Sequence, residues 1–334
     1  MANTNAFKIK NGLDLGAYNK DISDTAVDVF VYDTSKDSDG GAWRKRTQGT
    51  SWYNETLNTS TRGSRKEFPA VAVIVAESSQ VTIYDGDDPD MPMWMVFNQV
   101  VASPAYEQFW RGTRPATGVF SLNGMLIFSV NSASVAGVQV SNFASDELRR
   151  YSDNSTYSVI YSLPVSGRNS TSNPVKSVLP FIVSPVANDV AMTVLPNAPI
   201  DAATGLPVPT IGIATNGGVS VIRDDGTVVD ITQSSASYTE TNYVVLSEEG
   251  TVTLAYNNSG GLEYGWVYTL NIPSFDTVIT INAQSPAFSW FDTRNPLSFN
   301  QDFWISNNNG TDGVKLSAMA SKFPKLAFGT STAL

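Results

Sequence analysis

The sequence predicts an all-β fold, a β-propeller of about seven blades that is closed by strands from both termini. Two observations lead to this prediction: a three-strand unit that returns along the chain, and a composition in which only 16% of residues are charged. The clearest unit runs from Ile211 to Ile231, where the turn sequences Asn216-Gly-Gly and Asp224-Asp-Gly separate three apolar runs. Such turn residues between short apolar runs are typical of antiparallel hairpins.

The number of blades is estimated from strands that begin near a valine. These strands are spaced 57, 81 and 95 residues apart and begin at Val81, Val138, Val219 and Val314. At roughly 40–50 residues a blade, the first spacing predicts one blade with an insertion, and each of the others predicts two. Complementary halves of a further blade are then expected at residues 27–47, with a strand at residues 42–47, and at residues 323–330. Residues 29–33 and 326–329 are therefore expected in one sheet, because a closed ring leaves no open sheet edge.

The composition excludes several classes of function. The chain has 334 residues with no cysteine and no histidine, so thiol chemistry, Ser-His-Asp catalysis and zinc or iron–sulfur centres are excluded. A net charge of −10 argues against a nucleic-acid partner. No run approaches the roughly 18 apolar residues of a membrane helix. The sequence therefore predicts no cofactor, no nucleic acid and no membrane insertion.

Two regions are expected along the chain. Residues 25–334 are assigned to the propeller, with further C-terminal regions expected after it because no polar tail follows the last strand. Residues 1–24 are polar and too short to form a core of their own. Their apolar side chains gain free energy only when they are buried against a partner, so this part is predicted to be an N-terminal docking segment.

A basic-aromatic stretch occupies residues 43–66, where six of the 21 basic residues fall within 24 positions. Arginine with aromatic residues is typical of protein interfaces, which favours docking to another protein. Two alternatives stay open: Trp43 and Trp52 pack between blades with the charges on the rim, or the stretch binds an anionic ligand. The predicted docking residues are Phe7, Ile9, Leu13, Leu15, Trp43, Arg44, Arg46, Trp52 and Tyr53.

An acidic loop places four carboxylates within six residues, at Asp85, Asp87, Asp88 and Asp90. Clustered carboxylates suit calcium, but the spacing does not match an EF-hand loop, and aspartate also favours turns for backbone reasons. We expect a solvated turn that binds calcium weakly or not at all, and no other metal site.

Glycosidase chemistry would need two carboxylates across a cleft. No spacing selects a pair from the available residues, and the sequence therefore predicts a chain that is not an enzyme. The available carboxylates are Asp85, Asp88, Glu107, Asp224 and Glu248.

Several stretches resemble virion structural proteins of marine bacteriophages, of the kind that infect cyanobacteria and similar ocean bacteria. The most specific stretch is 43–86, with Trp43-Arg-Lys-Arg, Ser51-Trp-Tyr-Asn-Glu, Thr61-Arg-Gly-Ser-Arg-Lys-Glu-Phe-Pro and Val81-Thr-Ile-Tyr-Asp-Gly-Asp. Residues 213–228 are similar to the same group, and residues 7–15 resemble the opening of phage tail-fibre and other virion proteins.

This resemblance implies a structural component of the virion, of tail-fibre type, that takes part in host attachment and is located in the phage tail. The implied partners are other phage virion and tail proteins, further copies of the same chain, and a host-surface glycan. The resemblance carries no catalytic residues. Two alternatives stay open: a tail-tube, nozzle or capsid-fibre component, and a polysaccharide-degrading enzyme built on a propeller.

Overall fold

The computed structural model describes residues 25–101, 107–112, 114–131, 137–234, 239–256, 264–279, 290–292, 302–306, 313–317 and 327–330. The elements in these ranges are β-strands and three short 3-10 helices at Thr34–Lys36, Ala42–Arg46 and Val165–Gly167. The predicted all-β class is confirmed. Among these residues, no helix has the length and apolar character needed to span a membrane.

The first two sheets are meanders in which consecutive strands pair antiparallel. Sheet 1 has the order β1 (Ala26–Asp33), β2 (Val71–Glu77), β3 (Gln80–Asp85) and β4 (Met93–Asn98). Sheet 2 has six strands, β5 (Ala116–Leu122), β6 (Met125–Val130), β7 (Gly137–Asn142), β8 (Glu147–Tyr151), β9 (Val159–Tyr161) and β10 (Val175–Val178).

Three more sheets follow in chain order. Sheet 3 contains β11 (Ala187–Thr193), β12 (Thr210–Thr215), β13 (Gly218–Ile222) and β14 (Val228–Gln233), and β18 (Thr277–Ile279) pairs parallel with β14. Sheet 4 contains β15 (Thr241–Leu246), β16 (Thr251–Tyr256), β17 (Tyr264–Asn271) and β19 (Trp290–Asp292). Sheet 5 contains β20 (Asp302–Ser306), β21 (Gly313–Ser317) and β22 (Ala327–Thr330).

The repeated unit of the sequence has a direct structural counterpart. The predicted three-strand unit is confirmed as β12, β13 and β14, which pair antiparallel in that order. Val81, Val138 and Val219 are each the second residue of the third strand in their sheets. The valine-led strand is therefore one fixed position of a repeated sheet, at least in sheets 1 to 3.

The predicted closure of the ring is wrong. Strand β22 pairs with β21 in sheet 5, whereas β1 pairs with β2 in sheet 1, so the first and last described strands lie in separate sheets. The described strands form five sheets, and the number of blades in the whole chain stays a prediction. The spacing from Val138 to Val219 holds no additional sheet, because β9 and β10 extend sheet 2 beyond four strands instead.

A strand predicted at residues 42–47 is also wrong, because this segment forms a 3-10 helix. Gly40 and Gly41 have φ angles of 65° and 79°, a left-handed conformation that glycine adopts without steric cost. They turn the chain so that the indole of Trp43 enters the core, where it is 0% exposed.

A β-bulge occurs at the same place in the first strand of sheets 1 to 4. The register of each first strand slips by one residue beside its second strand, and the extra residues are Val27, Thr117, Asn188 and Asn242. These first strands also contact one another in chain order, from β1 to β5, β11 and β15. A bulge re-aims the side chains around it, and it recurs at the same position in four consecutive sheets.

Two bulge residues use this position to join adjacent sheets. The Thr117 hydroxyl donates to the carbonyl of Ala187 at 2.8 Å, which links sheet 2 to sheet 3. The Asn188 amide donates to the carbonyl of Thr241 at 2.9 Å, which links sheet 3 to sheet 4. Both acceptors immediately precede the bulge of their own strand. The bulge is thus a repeated connector between consecutive sheets.

Candidate functional site

The two tryptophans of the basic-aromatic stretch are core residues. The Trp43 indole donates to the Asp37 carboxylate at 2.7 Å, and the backbone N–H of Asn123 in sheet 2 donates to the same carboxylate at 2.8 Å. The Trp52 indole donates to the carbonyl of Phe143 at 2.9 Å. Both indoles are 0% exposed, so neither is available as a docking contact, which corrects that part of the prediction.

The other described residues of the predicted docking set are partly or fully exposed. The half-buried Arg44 donates from Nε to the carbonyl of Phe68 at 2.9 Å. Arg46 is exposed and pairs with Asp39 at 2.8 Å, and Tyr53 is partly buried. A docking role for Arg46 and Tyr53 stays a prediction. The remaining predicted docking residues lie outside the described ranges: Phe7, Ile9, Leu13 and Leu15.

The same stretch contributes to a buried ionic network in which one carboxylate serves two guanidinium groups. Glu55 Oε1 lies 2.6 Å from Arg168 Nη1, and Glu55 Oε2 lies 3.6 Å from Arg62 Nε. Both arginine side chains are 1% exposed, and the guanidinium of Arg62 stacks over the ring of Trp94 at 4.4 Å. Burial lowers the pKa of Arg62 to about 10, although Glu55 opposes the shift.

The acidic loop forms one wall of a surface cleft with a volume of about 440 Å³. The cleft lies beside the segment that connects β3 and β4. Its lining residues are Ser64, Arg65, Asp85, Asp87, Asp88, Pro89, Pro92, Met93 and Trp94.

Arg65 forms ion pairs with two of the loop's carboxylates. Its Nη1 lies 2.9 Å from both oxygens of Asp85 and 2.7 Å from Asp87. Asp87 also accepts hydrogen bonds from the backbone N–H groups of Ala70 and Val71. Partial burial acts to raise the pKa of Asp87, but these N–H groups and Arg65 outweigh it and lower the pKa.

These contacts bear on the predicted calcium candidates Asp85, Asp87, Asp88 and Asp90. Two of the four carboxylates are paired with Arg65, so a calcium ion would have to displace this arginine to use them. In the part of the chain that the structure describes, no three acidic, histidine or cysteine side chains are grouped so as to hold a metal ion.

The carboxylates considered for glycosidase chemistry are spread over several sheets. Asp85 and Asp88 share the cleft, but Asp85 is paired with Arg65. Glu107 accepts a hydrogen bond from the Ser172 hydroxyl at 2.5 Å. The remaining two lie in the turns between β13 and β14 and between β15 and β16, and they are Asp224 and Glu248.

Sequence reasoning missed the residues that follow the bulges, which we call the post-bulge group: Asp28, Gly118, Asp189 and Tyr243. The carboxylate of Asp28 accepts from the backbone N–H of Val119 in sheet 2 at 2.8 Å. The carboxylate of Asp189 accepts from the backbone N–H of Val244 in sheet 4 at 3.0 Å. Each aspartate thus joins its own sheet to the next one. The only sequence signal was an aspartate inside an otherwise apolar strand.

The post-bulge group also interacts across the sheets. A Cβ on Gly118 would lie 3.1 Å from Asp189 Oδ1, so the lack of a side chain there makes room for the carboxylate. Burial raises the pKa of Tyr243, and the charges of Asp189 and Asp28 raise it further. Asp189 keeps part of its surface accessible, but its carboxyl group lies among protein atoms, and this burial raises its pKa to about 7.

The stability of the protein is expected to fall with pH because of Asp189. In the unfolded chain this carboxyl ionises near pH 4, whereas in the folded chain it stays protonated up to about pH 7. The contribution of Asp189 to the free energy of unfolding is therefore fully present below pH 4. It is lost between pH 4 and 7, and the loss is on the order of 2–4 kcal/mol. Asp189→Asn keeps the acceptor for Val244 and removes the titration.

Urea unfolding measured from pH 4 to pH 8 checks this expectation. The free energy of unfolding of Asp189→Asn should fall less steeply with pH than that of the parent, and at pH 8 the variant should be the more stable protein. Parallel curves for the two proteins would show that Asp189 does not cause the pH dependence.

Comparison with known proteins leaves the family open. No protein-family model and no curated protein matches the chain. Among solved structures, the chain is similar to BBS1N in its complex with ARL6DN, with 12% identity, a TM-score of 0.33, and coverage of 78% of this chain and 65% of that one. The chain thus spans slightly less than two thirds of the BBS1N chain.

Two further structures give similar values. The Cps50 (Swd1) β-propeller domain of Myceliophteria thermophila has 11% identity and a TM-score of 0.32, with coverage of 80% of this chain and 86% of that one. A candidate 6-phosphogluconolactonase of Bacteroides fragilis has 10% identity and a TM-score of 0.35, with coverage of 83% and 71%. Similarity at this level does not establish a shared fold, and it says nothing about function.

Proposed function

We propose that this chain is a non-enzymatic structural protein of a bacteriophage virion, of tail-fibre type, that takes part in host attachment. The observation that carries the proposal is the resemblance of residues 43–86 to virion structural proteins of marine phages. In the folded chain this stretch supplies Trp43, Trp52 and Glu55, which hold sheets 1 and 2 together. The resemblance therefore covers residues that stabilise the contact between these two sheets.

We further propose that the sheets are blades of a β-propeller. Four consecutive meanders contact one another through their first strands, in chain order. Sheets arranged in this way around a common axis are typical of propellers. The repeated bulge supports this arrangement, because it places the same connector between sheets 2 and 3 and between sheets 3 and 4. A propeller would supply a rigid platform for a virion component.

Competition for host cells tests the proposed role in attachment. Purified chain added to host cells before the phage that encodes it should lower the adsorption rate, with heat-denatured chain as the control. Unchanged adsorption at saturating chain would contradict a role in attachment, although the chain could then still serve in a tail tube, nozzle or capsid fibre.

One observation favours a second candidate, a glycan-cleaving enzyme. A carboxylic acid with a pKa near 7 suits general-acid chemistry, and Asp189 has a pKa of about 7. The charges of Asp189 and Asp28 also raise the pKa of the neighbouring Tyr243. Release of reducing ends from host polysaccharide, abolished in Asp189→Asn, would establish the enzyme. We favour the structural role because both carboxylates already hold backbone N–H groups of the next sheet.

A further inference from the structure

The cleft beside Arg65 has features that the architecture does not use. Its volume of about 440 Å³ falls in the range of small-molecule sites, roughly 300–1,000 Å³. One wall is the acidic loop, and the other contains Ser64 and Arg65 from the basic-aromatic stretch. Two segments that are distant in sequence thus build one concave surface.

The cleft offers hydrogen-bond donors and acceptors that have no partner among the described residues. Arg65 makes its hydrogen bonds through Nη1, which leaves Nε and Nη2 as donors. Asp88 accepts through Oδ1 from the backbone N–H of Asp90 at 2.9 Å, which leaves Oδ2 as an acceptor. The Ser64 hydroxyl can serve as a donor or as an acceptor. These groups belong to exposed or half-exposed side chains, so a ligand can reach them.

The charges of the cleft argue against simple ions as ligands. A cation would have to displace Arg65 from Asp85 and Asp87, or bind through Asp88 alone. An anion would be repelled by the three carboxylates of the lining. A neutral ligand whose groups both donate and accept hydrogen bonds can use Arg65 and Asp88 together without carrying a charge into the cleft.

The remaining wall is apolar and consists of Pro89, Pro92 and the half-buried Met93. Such side chains can pack against C–H groups, while neighbouring polar groups fix the orientation of the ligand. A sugar ring combines a C–H face with adjacent hydroxyls that donate and accept. We propose that this cleft binds a neutral sugar residue of a polysaccharide. The inference rests on the proposed function only for the source of that sugar, a host-surface glycan.

Binding of free sugars to the full chain tests this site directly. Saturation-transfer NMR and titration would be run with a panel of neutral mono- and disaccharides, and with calcium chloride and a lysine-rich peptide as competing probes. At least one neutral sugar should bind. Asp88→Ala should weaken binding about tenfold or more, the loss expected for a hydrogen bond to a charged group. Asp90→Ala removes the same charge from the same loop outside the lining, and it should bind as the parent does.

Several outcomes would overturn the inference. These are no binding of any neutral sugar, equal losses in Asp88→Ala and Asp90→Ala, or binding of calcium or the peptide alone. If Asp88→Ala fails to fold, Ser64→Ala replaces it, with the same requirement of weaker binding. A chain that blocks phage adsorption but binds no sugar contradicts this inference alone. A chain that binds sugar but is absent from virions contradicts the proposed function alone.

Discussion

Replacing Glu55 by alanine is expected to lower the free energy of unfolding by about 3–5 kcal/mol, the cost of removing one partner from a buried ion pair. Glu55 is the carboxylate that lies between Arg62 and Arg168, and both guanidinium groups are buried. Without it, two buried positive charges lose their shared carboxylate, and the charge of Arg168, which acts to lower the pKa of Arg62, is no longer opposed by Glu55. Chemical denaturation at pH 7 measures the loss.

Glu67→Ala is the matched control for this substitution. Glu67 is exposed in the same segment, and its only described hydrogen bond is made by its backbone carbonyl, which accepts from Trp94. Surface substitutions of this kind usually change stability by no more than about 0.5 kcal/mol. Equal losses for Glu55→Ala and Glu67→Ala would contradict the account of the ionic network.

Trp52→Ala is expected to lower the free energy of unfolding by about 3–5 kcal/mol, the usual range for truncating a fully buried tryptophan. The Trp52 ring packs edge-on against Trp94 and Phe143, with centroid distances of 5.5 and 5.6 Å. Its removal leaves a cavity and also deprives the carbonyl of Phe143 of its indole donor. The midpoint of urea unfolding, with an unchanged slope, should report the loss.

Tyr53→Ala provides the comparison, because Tyr53 is adjacent in sequence but only partly buried. Its expected cost is about 1 kcal/mol, an ordinary value for a point substitution. If Trp52→Ala instead melts like the parent and fails only to join virions, the tryptophan is a docking anchor, and its placement in the core is contradicted.

Much of the strand pattern could be predicted from the sequence, because turn residues and apolar runs are local signals. The unit from Ile211 to Ile231 formed as expected. Residues 42–47 did not form the predicted strand, although their apolar-basic pattern resembles one. Gly40 and Gly41 turn the chain before them, and Trp43 is buried in the core. Tertiary contacts of this kind override local preference.

The arrangement of the sheets could not be predicted from spacing alone. A spacing counts residues, but it cannot distinguish a new sheet from extra strands at the edge of an existing one, and β9 and β10 are such strands. The role of Asp28 and Asp189 was also hidden, since each hydrogen bond joins residues 55 or more positions apart. A bulge gives them this position, and only the pairing register reveals a bulge.

The cleft illustrates the same limit for sites. The sequence identified its acidic loop and its basic stretch separately and assigned different roles to them. Only the folded chain brings Arg65 beside Asp85 and Asp87, at 2.9 and 2.7 Å. This contact commits two carboxylates of the loop to an arginine and leaves a cleft of mixed donors and acceptors.

The location of the chain in the phage particle tests the central claim most directly. Electron cryomicroscopy of purified virions, with the chain fitted into the density, is expected to place it in the tail, as a fibre-type component with its cleft accessible from outside. Density around a central tail channel or on the capsid would favour the nozzle or capsid-fibre alternatives. Absence of the chain from purified virions, while it is abundant in infected cells, would contradict the claim that it is a virion protein.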